Sequence, residues 1–242
     1  MPGVDHHLQL NRNLNLMDRL RFRIKLILLL LSPGGTLLAA DTNAVLNGWL
    51  AAQTNLSTWQ ADIVQTRALK ALTQPLMATG RVWFARPNQF RWELGSPAQT
   101  LAVRRAEELL VIYPLLKRAE RYPLGTKASG QWRDALDLLE TGFPRDRAEL
   151  DARFRLASLA ESNGCWQVAL QPSSTAARRM IQEVRVGLAT TDFSLVSTEL
   201  VFADGSRMRN DFTNAVLNPR LEPAVFEWKP PPDFKVVEPL AR

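Results

Sequence analysis

Apolar and polar residues alternate along most of this chain with a period of two, the pattern of half-buried strands. Asp41 to Asn55 departs from it. Val45, Leu46, Trp49 and Leu50 form one stripe, which predicts a helix capped by Asp41 or Thr42. From residue 58 the period of two takes over. Trp59, Ala61 and Ile63 alternate with polar neighbours in a strand over 58–70, and a short strand is expected over 80–85. Phe90, Trp92 and Leu94 alternate on the next strand, and Leu101 and Val103 on another. Residues 109–113 are apolar on both faces, so both faces should be covered. Pro114 turns the chain and 117–123 returns.

Residues 130–152 break the alternation again. Trp132, Ala135, Leu136 and Leu139 recur at helical spacing, Gly142 and Pro144 end that helix, and 145–152 suits a short second one. Strands resume at 153–159, 165–170, 178–188, 193–203 and 206–217, with Asp204-Gly205 as the turn of the last hairpin. A final strand is expected over 224–228, before Pro230-Pro231-Pro232. The sum is a mainly β domain with a few helices, spanning 41–242. About ten short strands joined by tight turns predict a strongly curved antiparallel sheet.

Residues 17–40 have another character. Arg19, Arg21, Arg23 and Lys25 follow Met17, Leu26 to Leu31 is an unbroken apolar run, and small residues lead to Ala40. That order predicts a cleavable export signal starting at Met17, cut near Ala40. The apolar run is short of the about 20 residues a spanning helix needs. Removing residues 1–40 leaves 25 basic and 22 acidic residues, a net charge of +3 against +6 for the whole chain. No Lys/Arg stripe argues for nucleic acid.

Rare residue types narrow the chemistry. The two histidines, His6 and His7, precede the export signal, and Cys165 is the one cysteine. A mature chain without histidine has no Ser-His-Asp triad, no Cys-His pair and no His-ligated metal. No P-loop, GxGxxG, GxSxG or HExxH string occurs. Neither an enzyme nor a cofactor site is expected. What stands out is one strand face carrying Val82, Phe84, Arg86, Phe90 and Trp92. Arg86 is the odd member, because a cation on an apolar face needs a partner. Backbone carbonyls of a covering segment would serve, and the helix over 131–140 is a candidate cover. The result would be a closable apolar container.

The run Gly80-Arg81-Val82-Trp83-Phe84-Ala85-Arg86-Pro87-Asn88-Gln89-Phe90-Arg91-Trp92-Glu93 resembles the signature of the LolA family of periplasmic lipoprotein carriers. Trp59-x-Ala61-x-Ile63-Val64-Gln65-Thr66 is similar to that family's early strand. Pro97-x-x-x-Leu101-x-Val103, Ile112-Tyr113-Pro114 and Phe226-x-Trp228-x-Pro230-Pro231 keep its spacing. The resemblance implies an open, incomplete β-barrel of about eleven strands with a helical lid. Its cavity would hold acyl chains, with Val82, Phe84, Phe90, Trp92 and Leu101 lining it. Arg86 would lock the lid, and Trp132, Leu136 and Leu139 would belong to the lid helix. The implied cargo is acylated lipoproteins, or another lipid or glycolipid. The implied partners are an inner-membrane ABC lipoprotein-releasing transporter and an outer-membrane lipoprotein receptor, served by a monomer in the periplasm. One departure bears on the fold. Where the family has Asp-Gly in a turn, this chain has Arg104-Arg105-Ala106, which fits a turn needing positive φ less well.

Overall fold

A computed structural model describes residues 41–124 and 142–239. The expected export signal, and Trp132, Leu136 and Leu139 of the expected lid helix, lie outside the described residues. The first element of the described residues is α1 (Thr42–Gln53), whose cap is Asp41: its carboxylate accepts the Asn43 N–H at 2.9 Å. Six strands follow: β1 (Thr58–Ala68), β2 (Leu76–Ala85), β3 (Gln89–Leu94), β4 (Thr100–Arg105), β5 (Glu108–Tyr113) and β6 (Arg118–Pro123). Then come α2 (Arg147–Arg153), β7 (Phe154–Ser162), β8 (Cys165–Pro172) and the single turn α3 (Thr175–Arg178). The chain closes with β9 (Ile181–Ala189), β10 (Leu195–Phe202), β11 (Arg207–Leu217) and β12 (Lys235–Val237).

The twelve strands of the described residues form one sheet in the order β12-β6-β5-β4-β3-β2-β1-β11-β10-β9-β8-β7. Neighbours are antiparallel except β12, which lies parallel to β6. The long-range step is β1 against β11, where Ile63 faces Phe212 and Gln65 faces Asn210. The sheet is curled. Val82, Phe84 and Phe90 from β2 and β3 share one apolar core with Val168, Val186 and Leu188 from β8 and β9, although several strands separate them. Leu46 and Trp49 bring α1 onto that inner face.

The outer face carries a second, smaller core. Leu101, Val103, Leu110, Ile112 and Ala119 are covered there by Trp228, Phe234 and Val236 of the C-terminal segment. Residues 109–113 are thus apolar on both sides because each side has its own cover, as expected.

Three expectations are corrected. Residues 224–228 are not a strand: Pro223–Phe226 is a 3₁₀ turn, and the last strand is β12. A proline at the head of such a turn has φ preset and no N–H to contribute to a ladder. The strand expected from 178 begins at Ile181, because Ser174 caps α3 by accepting the Ala177 N–H at 3.3 Å. The β4–β5 turn lies one residue later than the family pattern suggests. Arg105 pairs with Glu108, so Ala106 and Glu107 form the turn, and neither has positive φ. The Asp204-Gly205 hairpin stands as read, with Gly205 at φ +88° and Asp204 accepting the Ser206 N–H at 2.8 Å.

Candidate functional site: an apolar cavity closed by Phe143

Residues directly opposite each other on paired strands share a face. Trp59 faces Phe84, Phe84 faces Phe90, and Val82 faces Trp92. The four candidate positions Val82, Phe84, Phe90 and Trp92 therefore meet on the inner face. Trp59 from β1 joins them. Leu195, Thr198 and Phe212 complete the far wall, and Gly142 and Phe143 form the roof. The free space is about 30 Å³, room for one or two waters and no more. What fills the cavity is Phe143. Its ring lies flat on Phe84, and its edge meets Trp59 with centroids 5.1 Å apart. Trp59 also meets Phe212 edge-on at 5.2 Å.

Leu101 is not part of this site. It pairs with Glu93 and belongs to the outer core, while its neighbour Ala102 pairs with Trp92 and faces inward. The strand alternates, so moving one residue along it reverses the face. The same alternation points Arg104 inward beside Phe90, and its side chain is buried. The sequence reading placed Arg104 in a turn and missed it.

Arg86 follows β2 in the turn that leads to β3. Its Nη2 donates to the Gln53 carbonyl, the last residue of α1, over a long 3.4 Å. A cation at the carbonyl end of a helix complements the helix dipole. Burial pushes the guanidinium below its ordinary value, the nearby Glu149 carboxylate opposes this, and Arg145 adds to the lowering. Among the described residues, the buried Arg86 Nε and Gln53 Oε1 have no hydrogen-bond partner. Among the described residues, the contact between Arg86 and α1 is therefore under-bonded.

Glu149 organises the segment beyond Phe143. It accepts the Arg145 N–H and Nε–H, both at 2.9 Å, and pairs with Arg153 at 2.9 Å. Burial pushes its carboxyl up, but Arg145 and Arg153 together outweigh that and hold it below the ordinary carboxylate range. Asp146 caps α2 through the Glu149 N–H at 2.8 Å. The chain leaving Phe143 is thereby anchored.

Sequence reasoning missed Trp59, Phe143, Leu195, Thr198 and Phe212 as lining residues. Trp59, Thr198 and Phe212 lie on strands whose alternation was legible, but their shared cavity depends on strand pairing. Phe143 sits between Gly142 and Pro144, which were read only as the end of a helix. An aromatic residue between two helix breakers was the available signal.

Residues 54–229 match the family model for the outer membrane lipoprotein carrier protein LolA. The chain belongs to the LolA family. The match spans every residue of the cavity and Arg86; α1 precedes it and β12 follows it. An outer-membrane lipoprotein carrier protein of Dechloromonas aromatica is 25% identical over 183 residues, covering 76% of this chain and 82% of the relative. One from Methylibium petroleiphilum is 27% identical over 218 residues, covering 90% and 98%. Among solved structures, a LolA superfamily protein from Nitrosomonas europaea superposes with a TM-score of 0.41 at 11% identity, covering 77% of this chain and 97% of that one.

Proposed function

We propose that this protein is a periplasmic carrier that shields the acyl chains of lipoproteins and moves them from the inner to the outer membrane. Family membership and the two carrier-named relatives support the carrier role. The observation that carries the mechanism is the aromatic cavity filled by the chain's own Phe143. Water exposure costs an acyl chain about 0.8 kcal/mol per methylene, so a carrier has to cover the chain. It also has to let go. An internal plug that competes with cargo, and a lid contact as weakly bonded as Arg86 to Gln53, keep the bound state reversible. Val82, Phe84, Phe90 and Trp92 act as the acyl wall in this reading, and Arg86 as the lid lock.

Cargo would arrive from an inner-membrane ABC transporter and leave to an outer-membrane lipoprotein receptor, with the carrier monomeric after removal of its leader near Ala40. The second reading keeps the same cavity and changes the cargo to another lipid or glycolipid of the envelope. Native mass spectrometry of the protein gently isolated from periplasm separates the two. A bound triacylated lipoprotein supports the first reading, and a bound free lipid or glycolipid replaces it with the second. Recovery of the protein from the cytoplasm, with no acylated molecule bound, would overturn both.

A further inference from the structure

One row of the inner face is polar. Gln65, Asn210 and Thr198 lie directly opposite one another on β1, β11 and β10. Gln65 and Asn210 are 4% and 2% exposed, as deeply buried as the core around them. The Gln65 Nε2 donates to the Asn210 Oδ1 at 3.1 Å, and the Asn210 Nδ2 donates to the Thr198 Oγ1 at 3.1 Å. Apolar rows flank it: Ile63 opposite Phe212 on one side, Met208 opposite Leu200 on the other. A buried amide pair is tolerated only when it is hydrogen-bonded, and this row is bonded in one direction.

That direction has a consequence at its end. Thr198 receives a hydrogen bond from Asn210, so its hydroxyl oxygen is oriented as acceptor and its own O–H is left to donate. Thr198 lines the cavity, and its hydroxyl has no acceptor among the described residues. Among the described lining residues it is the polar side chain; the others are aromatic or aliphatic apart from Gly142. An acyl chain brings one matching group into an apolar site, its carbonyl oxygen, which accepts hydrogen bonds and donates none.

We propose that Thr198, held by Asn210 and Gln65, is a carbonyl-binding subsite that reads the ester or amide end of an acyl chain and sets how deeply the chain enters. The proposal rests on the carrier reading above and goes beyond it by distinguishing acyl from alkyl ligands. The relay also polarises the donor. A hydroxyl that accepts from an amide gives a stronger O–H bond to the next acceptor.

The test uses protein purified after expression of the full chain, with bis-ANS as a reporter displaced by dioctanoylglycerol or by its ether analogue dioctylglycerol. The two probes share chain length and differ in the carbonyls. The unaltered protein should bind the ester about fivefold more tightly, the scale of one net hydrogen bond in an apolar site. Thr198→Val should abolish that preference while keeping ether affinity, which shows that the variant is folded. Thr198→Ser should retain the preference. Equal affinity for both probes in the unaltered protein, or a preference that survives Thr198→Val, would overturn the subsite and leave the carrier reading intact. Failure of the unaltered protein to bind either probe would overturn the carrier reading and the subsite together.

Discussion

Phe143 lies on Phe84 with ring centroids 4.4 Å apart and planes 13° from parallel. A stacked pair of this kind adds about 1 kcal/mol beyond the area it buries. The ring that closes the cavity is therefore held by the wall it covers. In the proposed carrier, cargo entering along Phe84 would have to displace it, so the closed and loaded states would exclude each other.

Phe143→Ala should accordingly separate stability from binding. The protein should lose about 2–3 kcal/mol, less than a fully buried phenylalanine costs, because Phe143 is half-buried. Its affinity for bis-ANS or an acyl probe should rise, since no side chain competes for the space. Urea denaturation and fluorescence titration measure the two effects. Unchanged affinity would remove the plug from the mechanism.

Arg86→Leu should leave stability within about 1 kcal/mol of the original, because one 3.4 Å bond is lost and an awkwardly buried cation is removed with it. Cargo should still bind. Handover of a fluorescent acylated peptide to outer-membrane vesicles should slow, because in the proposed mechanism this contact favours closure. Transfer at the original rate would show that Arg86 has no part in closing the lid.

Leu101→Ala tests the assignment of faces. Leu101 is buried in the outer core with Ile112 and Val103, so the substitution should cost about 2–4 kcal/mol by thermal or urea denaturation. Acyl-probe affinity should be unchanged, because Trp92 and Ala102 on the other face are untouched. A large fall in affinity with the fold retained would place Leu101 functionally in the cavity.

Glu149 makes stability depend on acid. Its carboxyl titrates lower in the folded protein than unfolded, so the folded state binds fewer protons there. The contribution is complete above the ordinary carboxylate range and disappears as pH falls through the lowered folded value. The stability difference between the original protein and Glu149→Gln should therefore be constant from neutral pH down to about pH 5 and shrink below it. A difference that grew towards acid would contradict the Arg145 and Arg153 pairing.

Much of the architecture was legible because alternation is a local property. The helix beginning at Thr42, most of the strands and the Asp204-Gly205 hairpin all follow from neighbours a few residues apart. So did the grouping of Val82, Phe84, Phe90 and Trp92, since β2 and β3 are joined by a tight turn and their register follows from it. The Arg-Pro-Asn-x-Phe-x-Trp string carried the family likeness that residues 54–229 then showed. Leu101 marks where such reasoning fails. Alternation says that Leu101 and Ala102 face opposite ways, but not which way is inward. That depends on pairing with β3 and on the C-terminal segment that covers the outer face.

Gly80 shows the same boundary at a single residue. A Cβ there would sit 1.8 Å from the Glu93 backbone oxygen, a constraint set by the approach of β3 and invisible in the order of residues. The sequence by itself determined that this chain forms a curved β domain with an aromatic stripe and one misplaced cation, because strand period and turn chemistry act over a few residues. Only the tertiary structure decided that β1 meets β11, that Phe143 fills the cavity and that Thr198 ends a buried polar row in its wall. The β1–β11 pairing, the Phe84–Phe143 stack and the Gln65–Asn210 bond that anchors the polar row join residues some 60 to 150 positions apart, and their geometry is set by sheet register and curvature, which no local pattern encodes.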